Sequence, residues 1–413
     1  MEHTRATPCR PSVLHLAKAD PPDMVGGPLA VIRDIFAALN QRFASAALIS
    51  ATSAGRREIV INDVQVAPGH AFGRAMSLPR KWTLHWRLIR QIATHDLLAF
   101  HGPFPLAELA IALGVGRCKP VVVHWYGDVA AGSAARWFSA FLLRGTLRRA
   151  DAIVVADRML IHATPQLKEH AEKCRVVPFG IDIDKFKWPN FAPGRVSDRG
   201  RLVLACGPLV PDKGFDVLIH SAVHRQFDVW IVGDGTDRPR LQRLIDDLGV
   251  ADRVRLLGSV PDCERLKLMC IADVFAMPSR TADESFGLVQ LEAMAAGRPI
   301  VNTALETAVP HVARHGLEAI TVTPDDAGQL GDAIDALIRD PERRRQLGRA
   351  AQTRAAAQYS ATAFKAGVEM VYREAMTART KCPAARHHAV ERDVLTRWAN
   401  PPPTGCARGR PRR

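Results

Sequence analysis

Short apolar runs alternate with helical patterns along most of this chain. Runs rich in β-branched residues and bounded by turn residues are typical of buried strands, whereas an apolar repeat of about 3.6 residues predicts helices. Their alternation favours parallel sheets with crossover helices over an all-β fold or a helical bundle. In the first half, strands are predicted at residues 13–17, 46–50, 59–66, 97–101, 121–125 and 152–155.

The periodicity is lost near the middle of the chain. Residues 183–200 contain two prolines and two glycines without a regular apolar repeat, a composition typical of a connecting segment. We therefore place a linker at residues 191–200. Beyond it, strands are predicted at residues 202–206, 229–232, 254–257, 274–277 and 299–302, and helices at 238–248, 264–271 and 286–296 and from Lys213 and Asp326 onward.

This arrangement predicts two tandem α/β domains, each a Rossmann-like, doubly wound sheet. They occupy residues 13–190 and 201–360 and face a central cleft, because open α/β sheets bind ligands at their strand ends. Residues 1–12 form an N-terminal extension, and residues 361–378 form a C-terminal helix that could cross back to the first domain. Residues 379–413 combine prolines and arginines with few apolar residues, so we expect a basic, disordered tail.

Composition narrows the class of protein. With 413 residues, of which 47% are apolar and 24% charged, the chain can bury the cores of two domains. It has neither an apolar run long enough to span a bilayer nor the apolar stretch of a signal peptide at its start. The eight cysteines include no C-x-x-C pair, which argues against zinc and redox sites. We expect a cytoplasmic protein with reduced thiols.

The net charge of +14 is unevenly distributed. Residues 1–190 carry +9, residues 191–375 carry −2 and residues 376–413 carry +7. No zinc finger, aromatic RNA-binding pattern or basic heptad accompanies this charge, so nucleic acid is not indicated as a partner. Residues 78–92 and 136–149 interleave arginines with aromatic residues and leucines, which favours adsorption to an anionic membrane surface. The alternative for these two segments is a pair of amphipathic core helices.

Candidate chemistry begins after the first predicted strand. Gly26 and Gly27 precede Pro28, a residue that favours the first position of a helix. Glycines at this point let the backbone approach a phosphate or a sugar at the helix N-terminus. The turn lacks the G-x-G-x-x-G pattern of a dinucleotide-binding fold. A plain connecting turn would show the same residues.

Two further loops follow predicted strands in the second half. Lys213 and Gly214 precede a helix, so the lysine ammonium would lie beside a helix N-terminus, where a diphosphate is doubly favoured. The turn from Gly233 to Gly235 ends the next strand and could pass beneath a nucleotide. A solvated lysine in a first helical turn is the alternative.

Two glutamates lie in the most distinctive segment, ESFGLVQLEAMAAGRPIV, which begins at Glu284. Glu292 lies in a predicted helix that is apolar nearly all round, where an unpaired carboxylate is unstable, so it should have a partner. Glu284 precedes the helix, where the helix dipole favours its charge, and we expect it to point into the cleft. The alternative is a capping acid and an arginine-paired core acid.

These features together resemble glycosyltransferase family 4, which has the two-domain GT-B fold. The resemblance covers about residues 13–375, and the spacing of Glu284 and Glu292 carries most of it. The segments HLAKADPPDMVGGP, FHGPFPLAELA, ADAIVVAD, RVVPFGID and PIVNTALETAVPHVARHG are similar to bacterial rhamnosyl- and mannosyltransferases that build surface polysaccharide. The resemblance implies a retaining, metal-independent enzyme that uses a nucleotide diphosphate sugar and no other cofactor.

The resemblance also implies roles for individual residues. Glu284 would contact hydroxyls of the donor sugar, and Glu292 would contact the ribose of the nucleotide. Lys213 would neutralise the leaving diphosphate, whose departure requires fixed positive charge where no metal is used. The remaining implied donor-binding residues contribute mainly backbone groups and are Gly26, Gly27, Gly233, Phe286, Gly287 and Leu288.

Two positions depart from the family pattern. The family usually carries arginine next to the glycine of the first strand loop, where this chain has Gly207 and Pro208, so one of two diphosphate cations is missing. It also usually carries histidine where Tyr126 stands. His124 lies two residues earlier and should face the same side of an extended strand. Both His124 and Tyr126 are therefore catalytic candidates, beside Glu284 and Lys213.

We therefore predict a membrane-peripheral, cytoplasmic glycosyltransferase. It would move a hexose, with mannose or rhamnose favoured, from a nucleotide sugar to a lipid-linked saccharide during exopolysaccharide biosynthesis. Pro208 and Tyr126 favour an alternative, a catalytically degenerate member that binds nucleotide sugar or acts as a scaffold subunit. A sugar-nucleotide epimerase of the same fold is a third possibility, against which the spacing of Glu284 and Glu292 argues.

Overall fold

The computed structural model contains two α/β domains, each built around its own sheet. Among the residues that the structure describes, eight strands form the first sheet and six form the second. The structure describes residues 10–19, 28–40, 42–51, 59–61, 64–68, 89–102, 105–126, 134–186 and 201–380.

The first sheet has the strand order β3-β4-β2-β1-β5-β6-β7-β8. Strands β3 and β4 pair antiparallel, whereas the other described neighbours pair parallel. Parallel neighbours require crossover connections, which matches the alternation of strands and helices in the sequence. The strands are β1 (Ser12–Ala19), β2 (Ala44–Ala51), β3 (Ile59–Ile61), β4 (Val64–Pro68), β5 (Leu97–His101), β6 (Val121–Trp125), β7 (Ala152–Val155) and β8 (Cys174–Val176).

The second sheet has the order β11-β10-β9-β12-β13-β14, with parallel pairing between described neighbours. The chain starts at the central strand β9, moves outward to β10 and β11, and then returns to β12 on the other side. A crevice for a ligand forms where this direction changes, at the carboxyl ends of β9 and β12. The strands are β9 (Leu202–Cys206), β10 (Asp228–Val232), β11 (Val254–Gly258), β12 (Val274–Met277), β13 (Ile300–Thr303) and β14 (Ala319–Val322).

Helices cover both sheets, as parallel strands that are apolar on both faces require. In addition to the helices labelled below, residues 89–94 are helical. The labelled helices are α1 (Pro28–Leu39), α2 (Pro105–Ala112), α3 (Ala134–Arg149), α4 (Arg158–Ala163), α5 (Pro165–Lys168), α6 (Phe215–Ser221), α7 (Arg238–Asp247), α8 (Asp262–Ile271), α9 (Leu288–Ala295), α10 (Val309–Val312), α11 (Ala327–Arg339), α12 (Pro341–Gln358) and α13 (Ala361–Thr380).

Several sequence expectations differ from the structure. The single strand expected at residues 59–66 is the pair β3 and β4, and Asn62 and Asp63 between them are residue types that favour turns. The helix expected from Lys213 begins at Phe215, because Lys213 ends a short 3-10 turn and Gly214 is left-handed. The pattern also failed to predict β8 and β14, which have only three and four residues and give too short an apolar run to recognise.

The last described helix connects the end of the second domain to the first. Ile181 donates a backbone hydrogen bond to Tyr359, and Ala361 donates one back to Ile181, at 2.7 and 2.9 Å. Helix α13 then packs on the first sheet with α1, and Val368 and Tyr372 are fully buried there. The helix ends at Thr380, two residues beyond the predicted boundary. The predicted linker at residues 191–200 and the tail from residue 381 lie outside the described residues.

We predict that α13 holds the first domain mainly through its apolar face. Phe364 is 5% exposed and packs in this core, so Phe364→Ala should lower the free energy of unfolding by about 3–5 kcal/mol. Equilibrium urea denaturation of the full chain measures the effect. The matched control is Met370→Ala on the same helix, because Met370 is 54% exposed and its loss should change stability by less than about 0.5 kcal/mol. Equal losses in both variants would contradict the prediction.

Candidate functional site

Two oppositely charged side chains meet at the crevice of the second sheet. Lys213 lies in the loop after β9, and Glu284 lies in the loop after β12, the strand next to β9. The Lys213 Nζ and the Glu284 Oε2 form an ion pair. The two side chains are 24% and 13% exposed, so a ligand in the crevice can still reach both groups.

A buried hydroxyl also holds the Glu284 carboxylate. Ser279, two residues beyond β12, is 1% exposed and its Oγ donates to Glu284 Oε2 at 3.2 Å. The Ser279 carbonyl in turn accepts a hydrogen bond from Thr303 Oγ1 at 2.5 Å. Glu284 is therefore fixed by a cation from one strand loop and by a hydroxyl from the next.

A helix N-terminus follows the same loop. Gly287 has φ of 73°, a left-handed conformation, and α9 starts directly after it without a side-chain cap. A Cβ at Gly287 would stand 2.4 Å from Met277 Cε, which also favours glycine here. The first N–H groups of a helix lack intrahelical partners and attract anions. The Phe286, Gly287 and Leu288 backbone thus forms the kind of site that an anionic ligand requires.

Glu292 has the cationic partner that its environment requires. It forms an ion pair with Arg265 of α8, and Arg265 Nη2 also donates to Asp262 Oδ1 at 3.1 Å. The Glu292 side chain is 22% exposed, so it lies at the edge of the core. Burial raises the pKa of the Cys206 thiol to about 12, and the nearby Arg265 guanidinium opposes this shift. Helix α8, which carries Arg265, packs against β9, the strand that ends just before Gly207 and Pro208.

Gly233 is required by close packing of two strand loops. It has φ of 140°, and a Cβ there would lie 1.9 Å from the Gly207 carbonyl oxygen. The Gly207 N–H also donates to the Val232 carbonyl at 3.0 Å. The glycine turn after β10 thus supports the loop that leads from β9 to Lys213. The structure supplies a packing reason for this glycine, and its contact with a nucleotide stays a prediction.

The two candidates near the end of β6 are in different environments. Their rings do face the same side, with centroids 6.4 Å apart and planes inclined by 19°. His124 is 3% exposed, and its Nε2 bonds the Tyr372 hydroxyl of α13 at 2.7 Å. Burial lowers the pKa of His124 to about 3, so its ring is neutral. The structure thus places His124 in the core of the first domain, hydrogen-bonded to α13.

Tyr126 instead lies where the two domains meet. Its carbonyl accepts a hydrogen bond from Ser285 Oγ at 2.7 Å, directly beside Glu284. Its ring stacks on that of Phe179, with ring centroids 6.1 Å apart. The Phe179 ring in turn packs edge-on against Phe286, with centroids 4.9 Å apart. Of the two candidates, Tyr126 is the one brought to the Glu284 loop.

Some predicted site residues lie outside the described part of the chain, and the structure places other residues at the site that the sequence did not indicate. Gly26 and Gly27 lie outside the described residues, as do residues 78–88 of the first predicted membrane segment. Ser279 and Arg265 were not predicted, although the need of Glu292 for a cation pointed to an arginine or lysine of unknown position. No sequence signal singled out His101, whose ring bonds Tyr126.

Comparison with known proteins assigns this geometry to a family. The model of Glycosyltransferase Family 4 matches residues 25–185, and the model of Glycosyl transferases group 1 matches residues 186–354. A GDP-mannose-dependent alpha-(1-6)-phosphatidylinositol monomannoside mannosyltransferase of Mycolicibacterium smegmatis is 30% identical over 287 residues, which cover 64% of this chain and 74% of the relative. The chain belongs to glycosyltransferase family 4.

Other matches agree on the fold and the enzyme class. The D-rhamnosyltransferase WbpZ of Pseudomonas aeruginosa is 26% identical over 273 residues, which cover 65% of this glycosyltransferase and 71% of WbpZ. HepE of Anabaena, solved in complex with UDP, aligns with a TM-score of 0.70 at 22% identity and covers 88% of this chain and 99% of its own. The predicted GT-B fold and the assignment as a glycosyltransferase are thereby confirmed.

We predict that Lys213 is the main cation for the diphosphate of the donor. Lys213→Ala should weaken the binding of GDP or UDP to the full-length glycosyltransferase by about 1.5–3 kcal/mol, the range for a hydrogen bond to a charged group. Isothermal calorimetry measures this difference. Lys365→Ala, at an exposed lysine of α13, is the matched control and should bind as the wild type does. Unchanged affinity of Lys213→Ala for every diphosphate would remove Lys213 from the site.

Proposed function

We propose that this glycosyltransferase moves a hexose, with mannose or rhamnose favoured, from a nucleotide diphosphate sugar to a lipid-linked saccharide in the biosynthesis of a surface polysaccharide. The observation that carries the proposal is the Lys213–Glu284 ion pair at the crevice, next to the N-terminus of α9. The pair offers a cation for a diphosphate and a carboxylate for sugar hydroxyls within one small volume.

Donor binding would exchange partners within this pair. The diphosphate would accept from Lys213 and from the first N–H groups of α9, both of which favour an anion. Glu284, released from the lysine and still held by Ser279, would accept hydrogen bonds from the donor sugar. Neither charge would then lack a partner, a condition that partly buried ions must meet.

A second cation is available for the departing diphosphate. Arg265 lies on α8, which packs against β9, and its guanidinium affects the pKa of Cys206, the last residue of that strand. Together with Lys213 it would stabilise negative charge on the leaving group without a metal ion. Its partner Glu292 would accept from the ribose hydroxyls. We further propose transfer with retention of the anomeric configuration, as the family resemblance implies.

The choice of sugar is supported by the names of the relatives. One is a D-rhamnosyltransferase, and others are GDP-mannose-dependent mannosyltransferases. The mannosyltransferases are named for a phosphatidylinositol monomannoside acceptor, which is a glycolipid. A lipid-linked saccharide is therefore the acceptor class that we propose for this chain.

An acceptor of this kind favours action at the cytoplasmic face of a membrane. Helix α3 buries Leu143 and Leu147, whereas Phe141 is 63% exposed. The adjacent helix α2 is followed by Leu113, which is 75% exposed. Within the described part of the chain, the helices are too short or too polar to cross a bilayer. We propose that the exposed apolar side chains and the basic surface of the first domain adsorb to anionic lipid.

Pro208 and Tyr126 favour a second candidate function. A chain that lacks the usual arginine and histidine at these positions could bind nucleotide sugar without turnover and act as a scaffold subunit. Binding without turnover separates this candidate from the first.

The proposed activity predicts both stabilisation and turnover by a mannose or rhamnose donor. Full-length protein should show a raised Tm and release of nucleoside diphosphate with a GDP- or dTDP-linked hexose and a lipid-linked acceptor. Glu284→Gln should keep nucleotide binding and lose at least about tenfold in turnover, because a carboxylate contact to the sugar is removed. Product formation is followed by mass spectrometry. If no donor is turned over by the wild type and Tyr126→His restores activity, the degenerate function is the correct one.

Membrane adsorption should depend on anionic lipid and on salt. Cosedimentation with vesicles of phosphatidylglycerol should exceed that with phosphatidylcholine and should fall as ionic strength rises, because surface charges are screened. Phe141→Ser should weaken adsorption, whereas Met370→Ser, at a site on α13 where the side chain is 54% exposed against 63% for Phe141, should not. Protein shortened at residue 380 removes the contribution of the basic tail. Equal binding to both lipids would contradict the proposal.

A further inference from the structure

Three side chains of the first domain form a hydrogen-bonded chain that ends at the cleft. His15 Nδ1 lies 2.9 Å from His101 Nε2, and His101 Nδ1 lies 2.6 Å from the Tyr126 hydroxyl. His15 and His101 are 0% and 3% exposed. They come from the neighbouring strands β1 and β5, and Tyr126 follows the next strand, β6. The chain therefore runs across the sheet from its core to the residue that contacts the Glu284 loop.

Both imidazoles are neutral, and this restricts how the chain can be built. Burial lowers the pKa of His15 and of His101 well below the usual value, and the neighbouring His124 lowers both further. A neutral imidazole has one N–H donor and one acceptor nitrogen. Since His101 bonds through both nitrogens, the two hydrogen bonds must point in the same direction.

The unbonded nitrogen of His15, at one end of the hydrogen-bonded chain, determines the direction in which its hydrogen bonds point. His15 Nε2 is buried and has no hydrogen-bond partner among the described residues. If the chain ran from Tyr126 toward His15, this nitrogen would carry an orphaned N–H, and buried donors without partners are rare. In the opposite, outward direction, each group donates toward the cleft. His15 Nδ1–H then donates to His101, His101 Nδ1–H donates to the Tyr126 oxygen, and only an acceptor lone pair is left at His15 Nε2.

The outward direction leaves the Tyr126 hydroxyl hydrogen available. Its oxygen already accepts from His101, so the O–H bond points away from that ring. Residues 278–287, between β12 and α9, are called the donor loop. The Tyr126 carbonyl accepts a hydrogen bond from Ser285 of this loop at 2.7 Å, and the Tyr126 ring contacts Phe286 of the loop through Phe179. We propose that His15 and His101 are positioning residues that orient Tyr126 as a hydrogen-bond donor to an oxygen of the bound donor sugar. This inference rests on the proposed function for the identity of the ligand.

His124 lies beside the chain without belonging to it. Its ring stacks on His101 at 4.7 Å, yet its Nε2 bonds Tyr372 at 2.7 Å. Although three histidines are close together, the described residues contain no group of His, Cys, Asp or Glu side chains arranged to hold a metal ion. The Tyr372 hydroxyl bonds His124, and the Tyr126 hydroxyl bonds His101. Since each hydroxyl bonds one buried imidazole, Tyr372 is a suitable control position for Tyr126.

The test is the tautomer of His101 in the resting protein. Nitrogen-15 NMR of histidine-labelled, full-length protein distinguishes a ring protonated at Nδ1 from one protonated at Nε2. The expected result is that His101 and His15 are both protonated at Nδ1. Protonation of His101 at Nε2, or a mixture of its two forms in the wild type, would overturn the proposal.

Two matched substitutions assign the signals and test the role of the hydroxyl. Tyr126→Phe removes the acceptor of His101, so both directions of the chain leave equal numbers of unpaired groups, and mixed tautomers should result. Tyr372→Phe should leave the His101 signal unchanged. If Tyr126→Phe also left it unchanged, Tyr126 would not be the end of the chain.

The rate of sugar transfer, measured with the nucleotide sugar that is turned over fastest, tests the role of Tyr126 independently. Tyr126→Phe should lower kcat by roughly ten- to a hundredfold, with a smaller change in the KM of the sugar donor. The reason is that the transition state loses one oriented hydrogen-bond donor, the Tyr126 hydroxyl. The loss should exceed that of Tyr372→Phe by at least about tenfold. Equal losses would overturn the positioning role. The tautomer measurement needs no substrate, so a wrong assignment of the donor class would leave it unaffected.

Discussion

The ion pair between Lys213 and Glu284 joins the two strand ends that form the crevice. Its members are 71 residues apart in the chain, but they follow neighbouring strands of one parallel sheet. Partly buried charges are stable only with partners, so the pair stays closed until a ligand supplies a replacement for each member. A nucleotide sugar, the donor that we propose, would supply both, because its diphosphate is anionic and its sugar carries hydroxyl groups. The N-terminus of α9 and the Glu292–Arg265 pair lie on the same side of the sheet and would serve this proposed exchange.

The donor loop also depends on the first domain for its position. Ser285 bonds Tyr126, and Phe286 meets Phe179, so the two residues that directly follow Glu284 and lead into α9 are anchored to the first domain. Helix α13 strengthens this arrangement, because it leaves the second domain and buries Tyr372 beneath the first sheet. The two domains therefore share packed surfaces close to the site, in addition to the chain that links them.

Sequence reasoning located the central strands well. The predicted ranges 97–101, 121–125, 152–155, 202–206 and 274–277 coincide with β5, β6, β7, β9 and β12. Strands buried on both faces must be apolar throughout, and turn residues mark their ends, so both bounds are visible in the sequence. The short strands β8 and β14 lack this signal. The starts of α6 and α9 were misplaced because the left-handed conformations of Gly214 and Gly287 set them.

The sequence by itself determined the fold class, the family and the candidate residues for the site. The spacing of Glu284 and Glu292 places one acid before a helix and the other within it, and the apolar surroundings of Glu292 required a cation. Only the tertiary structure decided that this cation is Arg265 and that His124 bonds Tyr372, 248 residues away. It also brought His15 and His101 into line with Tyr126. Spacing along the sequence predicts which residues lie on the same face of one helix or strand. Contacts between strands depend on the order of the strands in the sheet, and the alternation of strands and helices does not specify that order.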